Sequence, residues 1–295
     1  MRLKTAIIGS GNIGCDILCK VIAHPDLECV LFAGRSIDSA GIKFAQEKGV
    51  RITSKGIAGV VENIDSFDLI FDATSATAHE KHAALLNEAG KTIINLTPAH
   101  EGELCVPTLN GKEILNSENI NMITCGGQAS VPIAKAICEV NKNVSYLEVV
   151  SSISDESAGP ATRKNLSNYI TTTENALIKF TGCDSVKAIL NINPAKPNVY
   201  MQTAISALVE NADVERTKEA ILETVQKLQT AVPGYSLIVD PHYADGRLFT
   251  MVRVEGAGHF LDASAGNLDI ITASAVHMAS LVAKRYMQKN NTVAG

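Results

Sequence analysis

The first third of the chain alternates buried-type apolar runs with amphipathic stretches, which is typical of a parallel α/β sheet. Continuous apolar runs predict strands at residues 3–8, 27–33, 67–73, 91–96 and 119–123. Apolar positions at helical spacing predict helices between them, most clearly at residues 15–23 and 78–89. We therefore predict an N-terminal Rossmann-type parallel sheet over residues 1–124.

The pattern changes after residue 124. Strands are predicted at residues 146–153, 185–193, 235–239 and 248–254, and helices at residues 131–140, 160–181 and 214–232. This order predicts a second, α+β domain over residues 125–265. Pro132 is expected in the first turn of its helix. A C-terminal helix over residues 266–286 is expected to pack back on the first domain, followed by a disordered tail at 287–295.

The first predicted strand leads directly into a Gly-x-Gly-x-x-Gly turn. Gly9, Gly11 and Gly14 are followed by the predicted helix at residues 15–23. In this order, the glycines allow a tight turn, a close approach of a pyrophosphate and close helix–strand packing. The turn therefore predicts dinucleotide binding, with a turn that holds no ligand as the alternative.

The end of the second strand bears on the choice of cofactor. Domains that bind NAD usually carry an acid here, which accepts hydrogen bonds from the adenosine ribose. This chain has Gly34-Arg35-Ser36 instead. Arg35 is suited to a 2′-phosphate, so NAD and NADP both stay open. A solvated surface arginine is the alternative.

Cys125 lies between a predicted strand and the start of a helix, and two glycines follow it. The positive end of a helix dipole favours thiolate over thiol. The glycine turn can also bring backbone N–H groups close to a developing oxyanion. We expect the loops at residues 74–77 and 97–100 to face one crevice with Cys125. The sequence predicts a nucleophile, and an ordinary buried cysteine is the alternative.

Composition narrows the function classes. With 295 residues, of which 46% are hydrophobic, the chain can bury the cores of two domains. A formal charge of -5 without a basic stripe argues against a nucleic-acid partner. No apolar window is long enough for a membrane span, and no His/Cys spacing predicts a metal site. Seven cysteines without a signal sequence indicate a cytoplasmic protein.

Five motifs support a resemblance that runs over nearly the whole chain. They are Ala-Ile-Ile-Gly-Ser-Gly-Asn-Ile-Gly (6–14), Phe-Asp-Ala-Thr-Ser-Ala (71–76), Asn-Met-Ile-Thr-Cys-Gly-Gly-Gln-Ala (121–129), Ser-Ala-Gly-Pro-Ala-Thr-Arg (157–163) and Ala-Gly-Asn-Leu-Asp-Ile (265–270). Together they resemble the acylating acetaldehyde dehydrogenases. The resemblance implies reversible oxidation of a short aldehyde, acetaldehyde or propionaldehyde, with coenzyme A and NAD or NADP. Cys125 matches the nucleophile, which would carry the acyl group as a thioester.

The resemblance also implies cofactor contacts in three parts of the chain. They are Ser10, Gly11, Asn12, Ile13, Ser157, Ala158, Gly159, Pro160, Ala161, Thr162, Arg163, Lys164, Asn165 and Asn267. The amide of Asn267 offers a donor and an acceptor to a nicotinamide carboxamide, and a helix N-cap is the alternative. A homodimer through the second, catalytic domain and a possible aldolase partner are implied as well.

The chain departs from the family pattern at Thr203, where the family has an aspartate linked with the thioester half of the reaction. A threonine is no base near neutral pH. Thiolysis is therefore slower, depends on another residue or uses another acyl acceptor. His259 and, more weakly, His100 are candidates for proton transfer, with structural roles as the alternative.

Two other functions stay open. The first is a related cysteine-dependent reductase that acts on a larger aldehyde or on a carrier-bound thioester, which Thr203 would allow. The second is a non-catalytic sensor that binds nucleotides. Intact Cys125, Gln128 and Asn267 argue against the sensor.

Overall fold

The computed structural model describes the backbone of residues 2–293 and their side chains, apart from those of residues 160–161 and 289–293. The chain divides into two compact units. The first runs to Met122 and includes His259–Leu261 and the residues from Thr272 onward, and the second contains Ile123–Gly258 and Asp262–Ile271. Within the described part of the chain, no helix has the length and apolar character to cross a membrane.

The first unit is a seven-stranded parallel sheet with the strand order β3-β2-β1-β4-β5-β7-β6. Its elements are β1 (Leu3–Ile8), α1 (Asn12–Ala23), β2 (Leu27–Ala33), α2 (Ala40–Glu47), β3 (Ile52–Thr53), α3 (Ile57–Val61), β4 (Leu69–Asp72), α4 (Ala76–Glu88), β5 (Thr92–Asn95), β6 (Glu103–Leu104), α5 (Pro107–Asn110) and β7 (Asn119–Asn121). The order reverses at β1, as in a doubly wound fold. The predicted α/β class is confirmed.

Burial on both faces explains why the central strands are continuous apolar runs. Ile7 of β1 lies beside Phe32 of β2 and Phe71 of β4, and all three side chains are fully buried. Each large apolar side chain buried in this way contributes about 1.5–3 kcal/mol. These strands fix the position of the loops at their carboxyl ends.

The second unit is a five-stranded mixed sheet with the strand order β11-β12-β10-β8-β9. Its elements are α6 (Cys125–Val140), β8 (Val144–Ser154), α7 (Pro160–Lys164), α8 (Leu166–Thr181), β9 (Val186–Asn193), β10 (Met201–Val209), α9 (Val214–Gln229), β11 (Tyr235–Ala244) and β12 (Arg247–Val254). The α+β character predicted for this part of the chain is confirmed. The last element of the chain is α10 (Gly266–Val293).

The central strand of this sheet, β10, was not predicted. It pairs with β8 and β12, and its residues alternate strictly between buried and half-buried. Its sequence, MQTAISALV, places Gln, Thr, Ala and Ser among the apolar residues. The contrast between its two faces is therefore too weak for a period-two pattern to reveal the strand.

Three predicted helix bounds differ from the structure. Helix α6 begins at Cys125, so Pro132 lies inside the helix and not in its first turn. The side chain of Thr124 caps this earlier start by accepting the Gly127 N–H. The stretch at 160–181 forms two helices, α7 and α8, that meet at Asn165. Helix α10 runs to Val293, beyond the predicted end at residue 286.

The greater part of α10 belongs to the first unit. Thr272 donates a hydrogen bond to Asp16 of α1, and both side chains are buried. Asp16 also pairs with Lys20, which balances its buried charge. The predicted packing of the C-terminal helix on the first domain is confirmed.

Candidate active site

The first unit contains a cavity of about 590 Å³ at the carboxyl ends of β1, β2 and β4. Ser10 and Gly11 of the glycine turn line it, and Thr74 and Ser75 line it from the loop after β4. Of the other predicted contacts on this turn, Asn12 and Ile13 form the first turn of α1. The position and size of the cavity suit a nucleotide.

The first and third glycines of the turn are required by close packing. Gly9 has a φ of +120°, and a Cβ there would lie 2.4 Å from the carbonyl oxygen of Ala73. A Cβ at Gly14 would lie 1.8 Å from the carbonyl oxygen of Gly9. The glycine turn is therefore held tightly between β1, α1 and the end of β4.

Two cations line the cavity near the end of β2. Arg35 follows this strand, and Lys55 follows β3. Lys55 is also paired with Glu62, its Nζ lying 2.8 Å from the carboxylate oxygen. Because the lining residues include no Asp or Glu, this side of the cavity favours an anion.

A buried polar cluster that the sequence pattern did not predict lies beside the cavity. The carboxylate of Asp72, at the end of β4, accepts hydrogen bonds from Nδ1 of His79 at 3.0 Å and Nδ1 of His82 at 2.9 Å. His82 lines the cavity. The two histidines are three residues apart on α4, and this spacing after a strand that ends in an acid is the signal that could have revealed the cluster.

Burial alone would raise the pKa of Asp72. Hydrogen bonds from His79, His82 and Thr74 outweigh it and lower the pKa to about 2. Asp72 is therefore ionised at neutral pH, although its side chain is fully buried.

Cys125, the predicted nucleophile, is the first residue of α6 and is half-buried. Its Sγ lies 3.7 Å from the phenol oxygen of Tyr169, on α8. Tyr169 was not predicted as a site residue. It is 44 residues from Cys125 in the sequence, and its neighbours form no motif that indicates a site.

The expected preference for thiolate is not met. Burial raises the pKa of the Cys125 thiol above its ordinary value, and the Tyr169 hydroxyl and the N–H groups of Gly126 and Cys125 act in the opposite direction without reversing it. The position at the helix start is as expected, but burial outweighs these interactions.

The oxyanion role of the glycine turn stays a prediction, and two of the N–H groups in this turn already have acceptors. Gly126 donates to the phenol oxygen of Tyr169 at 3.0 Å, and Gly127 donates to Thr124 Oγ1 at 2.9 Å. A substrate oxygen would have to displace one of these acceptors.

Thr203 faces the covered side of the second sheet. Its side chain is fully buried, and its Oγ1 lies 3.0 Å from Oγ of Ser151 on the neighbouring strand β8. The position at which the resemblance implies a carboxylate is thus occupied here by one of two paired neutral hydroxyls.

Asn267 and the predicted segment 157–165 lie together. The side-chain amide of Asn267 donates to the carbonyl of Ser157 at 3.3 Å, while its buried Oδ1 has no hydrogen-bond partner among the described residues. Since α10 begins at Gly266, Asn267 lies in its first turn and is not the N-cap. An unpartnered buried acceptor fits the N–H₂ group of a nicotinamide carboxamide.

The remainder of this segment is held by its own contacts. Arg163 donates to the carbonyls of Ala158 and Asp155, both at 2.9 Å, and pairs with the Asp155 carboxylate. Thr162 and Lys164 lie on α7, with Gly159 just before it and Asn165 just after it. Pro160 and Ala161 are also on α7, but their side chains lie outside the described ones.

The two histidines proposed for proton transfer, His259 and His100, are both exposed. His259 belongs to the first unit, whereas Cys125 belongs to the second. Their role in proton transfer stays a prediction.

Two family models match the chain. Residues 125–262 match the model described as prokaryotic acetaldehyde dehydrogenase, dimerisation, and residues 4–117 match the model described as semialdehyde dehydrogenase, NAD binding domain. The acetaldehyde dehydrogenase of Pectobacterium atrosepticum is 47% identical over 283 residues, which cover 95% of this chain and 96% of that protein. That of Spirochaeta aurantia is 46% identical over 282 residues, covering 96% and 95%.

Among solved structures, the fold is similar to that of aspartate semialdehyde dehydrogenase II from Vibrio cholerae, crystallised in complex with ASA. The TM-score is 0.66, with 97% of this chain and 100% of that chain covered, and the sequence identity is 15%. This likeness concerns the fold alone.

A Rossmann-type sheet with a nucleotide-sized cavity at the carboxyl ends of its strands, together with these matches, defines a nicotinamide-dependent oxidoreductase that oxidises aldehydes. Identities of 46–47% over nearly the full length identify the family. The chain belongs to the acetaldehyde dehydrogenases. The match to a dimerisation domain supports a homodimer.

Proposed function

We propose that the chain converts acetaldehyde or propionaldehyde, coenzyme A and NAD or NADP to acyl-CoA and the reduced cofactor, through a thioester on Cys125. The observation that supports this most is the half-buried residue Cys125 at the start of α6, with its sulfur in contact with a phenol hydroxyl. Family membership makes aldehyde oxidation the expected chemistry.

Cys125 takes part in both half-reactions. Its thiolate adds to the aldehyde carbonyl carbon, forming a C–S bond and placing the negative charge on oxygen. A nicotinamide cofactor, when bound, would supply the hydride acceptor, and loss of hydride from this carbon leaves an acyl thioester on the Cys125 sulfur. The thiolate of coenzyme A then attacks the acyl carbon, and the Cys125 thiolate leaves.

Asn267 would orient the nicotinamide carboxamide in this proposal. Its unpartnered Oδ1 accepts the carboxamide N–H₂, and its contact with Ser157 links it to the segment 157–165. Ser10 and Gly11 would hold the pyrophosphate at the start of α1. Arg35 and Lys55, both on the cavity wall, support NADP as well as NAD.

The proposal also concerns the acyl chain length of the substrate and the partners of the protein. Thr203 lacks the carboxylate expected from the family, which keeps a larger aldehyde or a carrier-bound thioester as the second candidate substrate. An aldolase that delivers the aldehyde and a cytoplasmic location remain our predictions from the sequence.

The test compares wild type with Cys125→Ser and with Cys138→Ser, which changes another half-buried cysteine on the same helix. NADH and NADPH formation are followed with acetaldehyde, propionaldehyde and longer aldehydes, with and without coenzyme A. We expect CoA-dependent turnover in wild type and Cys138→Ser, and none in Cys125→Ser.

Mass spectrometry of wild type quenched without coenzyme A should find the acyl group on the peptide containing Cys125. Turnover that survives in Cys125→Ser would contradict the cysteine mechanism. Cofactor binding without turnover of any aldehyde would favour the non-catalytic sensor.

A further inference from the structure

The phenol oxygen of Tyr169 reaches the turn that carries Cys125. It lies 3.7 Å from Sγ and accepts the Gly126 N–H at 3.0 Å. A Cβ at position 126 would lie 2.1 Å from this oxygen and 2.8 Å from Oγ of Ser151. Glycine at position 126 is therefore what lets the phenol approach the start of α6.

The hydrogen bonds around Tyr169 limit where its own proton can point. Thr173 donates its hydroxyl proton to the carbonyl of Tyr169 at 2.7 Å. The 2.7 Å contact between the Thr173 and Thr124 hydroxyls must then be donated by Thr124. Both threonine protons are thereby used. The phenol proton can then go to Thr124 Oγ1 or to the sulfur, which lies 3.7 Å away. Of these two acceptors, only the sulfur becomes negatively charged in the proposed reaction, and an ionised acceptor attracts the proton more strongly.

We propose that Tyr169 is a catalytic residue whose hydroxyl donates a hydrogen bond to Cys125 Sγ, fixing the position of the sulfur and stabilising its thiolate. This inference rests on the proposed function, in which Cys125 is the nucleophile. The sulfur is negatively charged before it attacks the aldehyde and again when coenzyme A displaces it. A donor to sulfur therefore assists both half-reactions, since hydrogen bonds to an ionised acceptor are the stronger ones.

The surroundings of the sulfur make this donor important. Besides burial, the groups that affect the titration of Cys125 are the Tyr169 hydroxyl and the N–H groups of Gly126 and Cys125. No charged side chain of the described residues is among them, and Ser151 of β8, which lies beside Gly126, is neutral. Burial raises the pKa of Tyr169 well above its ordinary value, so the phenol keeps its proton at any pH used for catalysis.

The test removes this hydroxyl in Tyr169→Phe and uses Tyr235→Phe as a matched control. Tyr235 is fully buried, and its hydroxyl donates to the carbonyl of Ala129 on the same helix α6 at 2.6 Å. The rate of alkylation of Cys125 by iodoacetamide is measured from pH 6 upward, with the modified peptide identified by mass spectrometry. The peptide readout is needed because all seven cysteines are free.

We expect Tyr169→Phe to move the midpoint of the alkylation profile upward and to slow alkylation of Cys125 at pH 7 about tenfold, as for one pKa unit. Tyr235→Phe should match wild type. If the profile of Tyr169→Phe also matches wild type, Tyr169 is not the donor.

If Tyr169→Phe does not fold, 3-fluorotyrosine at position 169 is used instead, because it is a more acidic donor of nearly the same shape. It should lower the midpoint of the alkylation profile, and an unchanged midpoint contradicts the proposal. Because alkylation needs no aldehyde turnover, this test can fail independently of the turnover test with Cys125→Ser.

Discussion

Asp72 is a fully buried carboxylate that is held ionised by neighbouring donors. Two imidazole N–H groups and the Thr74 hydroxyl all donate to it. Asn119 donates to Nε2 of His79 at 3.0 Å, which leaves the proton of that ring on Nδ1, facing Asp72. The cluster thereby ties the end of β4 to α4 and β7, beside the cavity.

We expect Asp72→Asn to lower the free energy of unfolding by about 2 kcal/mol at pH 7, because the pKa of Asp72 falls from 3.8 to about 2 on folding. A lowered pKa stabilises the fold above the unfolded value of about 4, and this contribution is lost as the pH falls through about 2. The difference between wild type and variant in urea unfolding should therefore shrink in acid. Asp65→Asn, at an exposed carboxylate, is the control, and an equal effect of both changes would contradict the prediction.

The single charge of Arg35 would set the preference between NAD and NADP. We expect Arg35→Ala to raise the KM for NADP about tenfold and to leave the KM for NAD nearly unchanged, because a charged hydrogen bond to the 2′-phosphate is lost. The control is Lys43→Ala, which removes an exposed cation that does not line the cavity. A strong preference of wild type for NAD, or equal changes for both cofactors, would contradict this role.

Cys125 and Tyr169 show which features of the site could be predicted from the sequence. Cys125 could be singled out because a strand, a thiol and two glycines are adjacent in the chain. Its contact with Tyr169 spans 44 residues and could not be predicted, because it depends on how α8 packs beside α6. The raised pKa of the thiol has the same origin, since burial is a tertiary property.

A single capping residue, Thr124, stabilises the start of α6. Thr124 accepts the Gly127 N–H through its side chain and also contacts Thr173 of α8. The cap thus fixes both the first turn, which carries Cys125, and its distance from the helix that carries Tyr169. Asp213 caps α9 in the same way, by accepting the Arg216 N–H at 3.1 Å.

We expect Thr124→Ala and Asp213→Ala each to cost about 1 kcal/mol of stability, as the loss of an N-cap usually does. Only Thr124→Ala should also lower kcat, because only its helix begins at the proposed nucleophile. Thermal unfolding and aldehyde turnover, measured on both variants, test this pairing. Equal kcat values in the two variants would show that the cap of α6 acts on stability alone.

The elements that the sequence predicted are those with a strong contrast between apolar and polar positions. The buried strands β1, β4 and β5 were found, since both of their faces are apolar. The strand β10 was not predicted, because Thr203 and Ala207 are fully buried small residues and Leu208 is half-exposed. Burial of a threonine depends on a partner hydroxyl, here that of Ser151 on another strand, which no local pattern reveals.

One face of the second sheet is open in the single chain. Helices α6, α8 and α9 pack against the other face, where alternate strand residues are buried. On the open face, Ile189, Val150, Ala204 and Met251 form a row across β9, β8, β10 and β12. Ile189 is 39% exposed in the single chain. These strands lie in the region that matches a dimerisation domain, so a second copy is the expected cover.

We expect Ala204→Arg to convert the homodimer to a monomer, because the charge would be buried in the middle of this apolar row in both copies. Sedimentation velocity measures the change, and the variant should sediment as a single chain at concentrations at which wild type is dimeric. Gln226→Arg, at an exposed position on α9, introduces the same side chain on the covered side of the unit and should leave the dimer intact. Because the second domain carries Cys125, kcat of the monomeric variant then shows whether the site is complete in one chain. A dimer that persists in Ala204→Arg would place the interface on another surface.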